Sequence, residues 1–140
     1  MSSKKIKGIQ KLIQTFRRIQ RRLPSTYPHA ALVIHMNENE LTRYYYDCME
    51  GEDLTGNYPA HHPYAFCDGN ALTVHMHAAM FEETMRQLSW YMLHELGHLY
   101  ALQRYGEKDP RWKTSSIAEP YANTFATRWT KRLSDEGWFS

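Results

Sequence analysis

Apolar residues recur at three- and four-residue steps near the start of the chain: Ile6, Ile9, Leu12, Ile13, Phe16, Ile19 and Leu23. This spacing predicts one stripe along an amphipathic helix over residues 4–23. Pro24 ends the pattern. Ala30–Met36 then reads as a strand, followed by the polar turn Asn37-Glu38-Asn39-Glu40. Leu41–Cys48, rich in Tyr, is a second strand candidate. Residues 50–70 hold three Gly and two Pro and read as a long loop of the kind that borders binding sites. Ala71–His77 alternates Leu72, Val74 and Met76 with Thr73, His75 and His77, the period of a half-buried strand. Glu82–Arg104 has no Pro and one Gly, and Met85, Leu88, Met92, Leu96 and Leu99 trace one helical face. Gly106 supplies its C-terminal stop. Ser116–Leu133 is the last helix, with Ala122, Phe125, Ala126, Trp129 and Leu133 as its buried stripe.

These elements predict an α+β fold in one domain over residues 1–140. An N-terminal helix packs on a small, mostly antiparallel sheet of about three strands, and helices within residues 82–134 follow. The composition, 42% apolar and 23% charged, is that of a globular chain. Charge is split unevenly. Lys4, Lys5, Lys7, Lys11, Arg17, Arg18, Arg21 and Arg22 stand in the first 22 residues without an acid, leaving nine basic against fifteen acidic residues. The helix over residues 1–23 is therefore a basic arm on an acidic body. It suits nucleic acid, an acidic lipid surface, or the body itself. No DNA-reading pattern accompanies it. Two cysteines, Cys48 and Cys67, form no metal motif and no disulfide framework, though they could sit on neighbouring strands. The N-terminal apolar residues are spaced, unlike a secretory signal, and no run of about 20 apolar residues could span a membrane. The expected compartment is the cytoplasm.

The chemistry lies in the long helix, at His94-Glu95-Leu96-Gly97-His98. Two His four residues apart project from one helix face and can reach one metal ion. Glu95 lies roughly 100° round from His94, so it can act on a water without binding the ion. These residues predict a zinc site with Glu95 as catalytic base. Gly97 lets another element come close. A catalytic zinc has three protein ligands and one open position. No His follows His98, and Ala101 and Arg104 stand where a metzincin needs Gly and His. Of the downstream acids, Glu107 and Asp109 lie in the Gly106–Pro110 turn, and Asp135 and Glu136 in a polar tail. Glu119 alone sits at a helix start, on a face with Ala122, Asn123 and Ala126. Its competing role is capping-box partner of Ser116.

The string from His94 to His98, followed by Glu119-Pro120-Tyr121-Ala122-Asn123-Thr124-Phe125-Ala126, resembles the ImmA/IrrE family of metallopeptidases. The resemblance covers about residues 85–130. It implies a minimal zincin-like domain with the gluzincin arrangement: His94, His98 and Glu119 on zinc, Glu95 as base, and Asn123, one turn from Glu119, either orienting that ligand or standing as an ordinary exposed helix residue. Thr127-Arg128-Trp129 departs from the family's usual Leu-Leu-Met-Pro ending.

Further residues bear on such a site. His75 and His77 stand on the strand before the active-site helix, where an edge strand can pair with substrate; surface positions are the simpler expectation for both. Tyr100, Tyr105 and Tyr121 are possible oxyanion donors. His61 and His62 in the loop are poor candidates for the site. The leading expectation is a zinc endopeptidase cutting a cytoplasmic protein, such as a regulatory protein of a phage or mobile element. The alternative is a non-catalytic regulatory or nucleic-acid-associated module whose metal is structural.

Overall fold

A computed structural model describes residues 3–37 and 65–139. The fold is α+β. Helix α1 (Ser3–Arg22) comes first, then strands β1 (Ala31–His35), β2 (Ala65–Asp68) and β3 (Thr73–His77), and a 3-10 turn over Ala78–Glu82. Helices α2 (Met85–Tyr105), α3 (Pro110–Lys113) and α4 (Ser115–Asp135) complete it. The strand candidate Leu41–Cys48, together with His61 and His62, lies outside the described residues.

The sheet has three strands in the order β1-β3-β2. It is mixed: β1 runs parallel to β3, and β2 runs antiparallel to it. Strand β2 falls within the 50–70 stretch that reads as loop. Its four residues, between Pro63 and Gly69, are too few to display an alternation. The β2–β3 turn is held by the Asp68 carboxylate, which accepts from the Asn70 and Ala71 amides at 3.0 and 3.4 Å.

The apolar stripe of α1 is buried through Leu12, Phe16, Ile19 and Leu23, while Ile6 stays 44% exposed. Gly8 lets α1 press on the 3-10 turn, since a Cβ there would lie 2.4 Å from the Phe81 ring. The basic arm touches the body at several points. The Lys11 ammonium donates to the Phe81 carbonyl at 3.0 Å, Arg22 pairs with Glu136, and Arg18 lies 3.8 Å over Trp138. Gln20 bonds both ways to the Ala30 backbone, fixing the chain's entry into β1.

Helix α2 starts later than its periodicity suggests. Thr84 caps it, accepting from the Gln87 amide at 3.1 Å, because the 3-10 turn absorbs residues 78–82. Gly106 ends it at φ 93°, and its amide donates to the Leu102 carbonyl. Leu88, Met92, Leu93, Leu96 and Leu99 put α2 at the centre of the core. No helix among the described residues is long and apolar enough to cross a membrane.

Candidate metal centre

Helices α2 and α4 run antiparallel, since His98 lies beside Glu119 while Trp90 lies beside Thr127. Ala118, Ala122 and Ala126 are buried on α4, so small side chains let the two helices approach. Gly97 has the same effect from α2. A Cβ there would stand 2.9 Å from Phe125 Cδ1, so the neighbour that Gly97 admits is the root of an aromatic side chain.

Each helix presents a row of residues four apart, which share a face. Trp90, His94 and His98 form the row on α2, and Glu119, Asn123 and Thr127 form the row on α4. At the centre, His94 Nε2 lies 3.0 Å from Glu119 Oε2, and His98 Nε2 lies 3.1 Å from Glu119 Oε1. The two Nε2 atoms are 3.2 Å apart. One donor atom from each of the three residues lies within 4.8 Å of the others, and this group could hold a metal ion.

Glu95 is not part of that donor group, as its position on the helix requires. It is 6% exposed, with Oε1 3.9 Å from His94 Nε2. Its Oε2 is buried and has no hydrogen-bond partner among the described residues. Leaving a buried carboxylate oxygen unpaired is costly, so a cation or a polar ligand beside it would relieve the site. The donor set and this buried oxygen both fit a divalent metal.

The charges follow from the same packing. Hydrogen bonds from His94 and His98 hold the Glu119 carboxyl well below the usual carboxylate range, against an opposing effect of burial. Burial pushes the Glu95 carboxyl up, and the two histidines only partly oppose it. For His94, burial acts downward, but Glu119, Glu95 and Asn123 together outweigh it and the imidazole is raised.

Three of the four competing acids are occupied elsewhere. Asp109 caps α3 and pairs with Arg111, Asp135 pairs with Lys131, and Glu136 pairs with Arg22. Glu107 lies exposed in the turn after α2. The capping box is not formed either. The N-cap of α4 is Thr114, without a side-chain cap bond, and both Glu119 oxygens face the histidines.

His75 is buried rather than on the surface, His77 is half-buried, and their strand is not an edge among the described strands. Strand β3 is central among the described strands, because β2 covers its second side. His75 is 6% exposed, stacks on Phe66 at 4.6 Å, and its Nδ1 lies 2.8 Å from His35 Nε2. His77 caps the 3-10 turn by accepting from the Ala79 amide. Tyr100 packs on Tyr27 and Phe125 at 4.6 and 5.3 Å. Tyr105 and Tyr121 meet edge to face, with the Arg111 guanidinium 3.3 Å over Tyr105. Cys67 lies on β2, while Cys48 is outside the described residues.

A concavity of about 730 Å³ is lined by Tyr27, Tyr100, Phe125, Arg128 and Trp129, among others, and contains none of the three converging residues. Arg128 is nine positions from Glu119, about 180° round α4, so this hollow belongs to the helix's other side. Two further contacts at the donor group are absent from the sequence reading. The Trp90 ring stacks on His94 at 5.3 Å and 26°, and its Nε1–H donates to Thr127 Oγ1 at 3.1 Å. Continuing each row of residues by one step of four leads to both. Comparison with family models, with curated proteins and with solved structures found no match.

Proposed function

We propose that this chain is a zinc-dependent metallopeptidase of the ImmA/IrrE kind, hydrolysing peptide bonds of a cytoplasmic protein. One observation carries the reading: His94, His98 and Glu119 converge from two helices, and the buried Glu95 carboxyl lies beside them. Zinc bonds of about 2.0–2.2 Å in a tetrahedron separate the ligand atoms by about 3.3–3.5 Å. The two histidine nitrogens stand 3.2 Å apart, within a few tenths of that value, and they lie 3.0 and 3.1 Å from different oxygens of Glu119. Two nitrogens and one carboxylate oxygen suit zinc, and three ligands leave one position open. The Glu119 side chain is 54% exposed, so the donor group opens to solvent on that side.

Bound zinc supplies a Lewis acid that polarises the scissile carbonyl and acidifies a water. Glu95 takes the proton from the attacking water and hands it to the departing amine. Binding the ion requires His94 and His98 in the neutral form and Glu119 ionised. A closed structural site would need a fourth protein ligand, and only three residues converge among those described. The buried Glu95 carboxyl beside the donor group supports the enzyme over a metal-containing module without catalysis. Zinc content and cleavage of an unfolded protein mixture test the reading in wild type and Glu95→Gln. Retained zinc with lost cleavage is expected; equal cleavage by both proteins would overturn it.

A further inference from the structure

We infer that Trp90 and Thr127 are positioning residues for His94, and that their hydrogen bond couples its orientation to the placement of Glu119. A metal-binding histidine normally has its ring fixed by donation from its second nitrogen to a carboxylate or carbonyl. Among the described residues nothing supplies that device to His94. Its Nδ1 is buried and has no hydrogen-bond partner among the described residues. Asn123 is near enough to raise the imidazole but makes no bond of normal geometry to Nδ1. The ring is held by its face instead. Trp90, one turn earlier on α2, stacks on it at 5.3 Å with 26° between the planes.

A stacked ring orients its neighbour only if it is itself fixed. Trp90 is fixed at two points. Its Nε1–H donates to Thr127 Oγ1 at 3.1 Å, and Tyr91 packs against it edge to face at 5.6 Å. Thr127 lies two turns beyond Glu119 on α4, at the far end of the same row. The Trp90–Thr127 bond therefore ties α2 to α4 at a second point beside the donor group. One contact sets the plane of His94 and the spacing of the helix that carries Glu119.

The inference rests on reading His94, His98 and Glu119 as a metal centre, and zinc affinity, measured by competition with a coloured chelator, tests both. Thr127→Val and Trp90→Phe should each bind zinc about tenfold more weakly, at the lower edge of the range for groups that orient ligands. Thr127→Ser, which keeps the acceptor, should bind as wild type does. The double variant Trp90→Phe/Thr127→Val should be no weaker than either single one, because both remove the same bond. Thr127 is exposed and Trp90→Phe keeps an aromatic ring, so both proteins should fold. Wild-type affinity in Thr127→Val and Trp90→Phe would overturn the inference. So would a lower melting temperature of the metal-free variants with affinity unchanged, which is the mark of a merely structural contact. His98→Ala separates the two readings. If it binds zinc as wild type does, the metal centre itself fails. If it loses zinc while the Trp90 and Thr127 variants do not, only the positioning role fails.

Discussion

Replacing Gly97 with alanine should loosen the metal centre without touching any of its donors. The added Cβ would stand 2.9, 3.0 and 3.1 Å from Cδ1, Cγ and Cβ of Phe125. Apolar carbons settle at about 3.5 Å or more, so roughly 0.6 Å must be found. The atoms met are the root of the Phe125 side chain, which cannot swing aside without moving the backbone of α4. Overpacking of this kind costs about 1–3 kcal/mol. Alanine in place of glycine inside a helix returns about 1 kcal/mol, so the net loss of stability is about 0–2 kcal/mol. The effect on the site is larger. A displacement of α4 by about 0.6 Å would carry the Glu119 oxygens from 3.0 and 3.1 Å to about 3.6 Å from the histidine nitrogens, so the hydrogen bonds that hold Glu119 in place before a metal arrives would be lost. Zinc affinity should fall about ten- to a hundredfold, as when a group that supports a ligand is lost. Urea denaturation of the metal-free protein and chelator competition measure the two effects separately. Adding Phe125→Ala leaves only the Cβ contact at 3.1 Å, which reduces the shortfall from about 0.6 to about 0.4 Å; it should recover part of the affinity but not the stability, because Phe125 also packs on Tyr27 and Tyr100. A Gly97→Ala protein that is about 1 kcal/mol more stable and binds zinc as before would refute the argument.

Glu119→Ala should weaken zinc by more than the hundredfold that ends the range for supporting groups, whereas Glu107→Ala and Asp109→Ala should leave it unchanged; chelator titration of the three ranks them. Burial, then the neighbouring His35, lowers the His75 imidazole against the pull of Asp68. A depressed histidine contributes stability that is full above its unfolded value of about 6.5 and lost as the pH falls towards the folded value. Urea midpoints from pH 7.5 to 5 should therefore drop less steeply in His35→Leu/His75→Leu than in wild type, with His94, whose shift has the opposite sign, common to both proteins. Parallel curves would refute a role for the pair. Gly8→Ala should cost about 1–3 kcal/mol before about 1 kcal/mol is regained from helix propensity, because its Cβ would enter the Phe81 ring. A raised thermal midpoint, the helix-propensity gain alone, would show that α1 and the 3-10 turn can separate freely.

The three long helices were legible because each repeats an apolar stripe over five or six turns, and Gly106 marks a stop that needs positive φ. The pairing of His94 with His98 was legible for a similar reason: a four-residue step on a helix is local geometry. Even the late start of α2 has a signal in Thr84-Met85-Arg86-Gln87, a capping pattern that periodicity overran. What escaped depends on partners far along the chain. Four residues of β2 show no period. The parallel pairing of β1 with β3 and the burial of His75 follow from which strands meet, and alternation within a strand carries no record of that. Glu119 could be singled out along the chain, yet its distance from the histidines is set where Gly97, Phe125 and the alanines of α4 let two helices approach. The Trp90–Thr127 contact is decided in the same place. Spacing along one helix determines which side chains share a face. Only packing between helices, governed by side-chain volume at their contact, decides whether two such faces come within the few ångströms that a metal ion or a hydrogen bond requires.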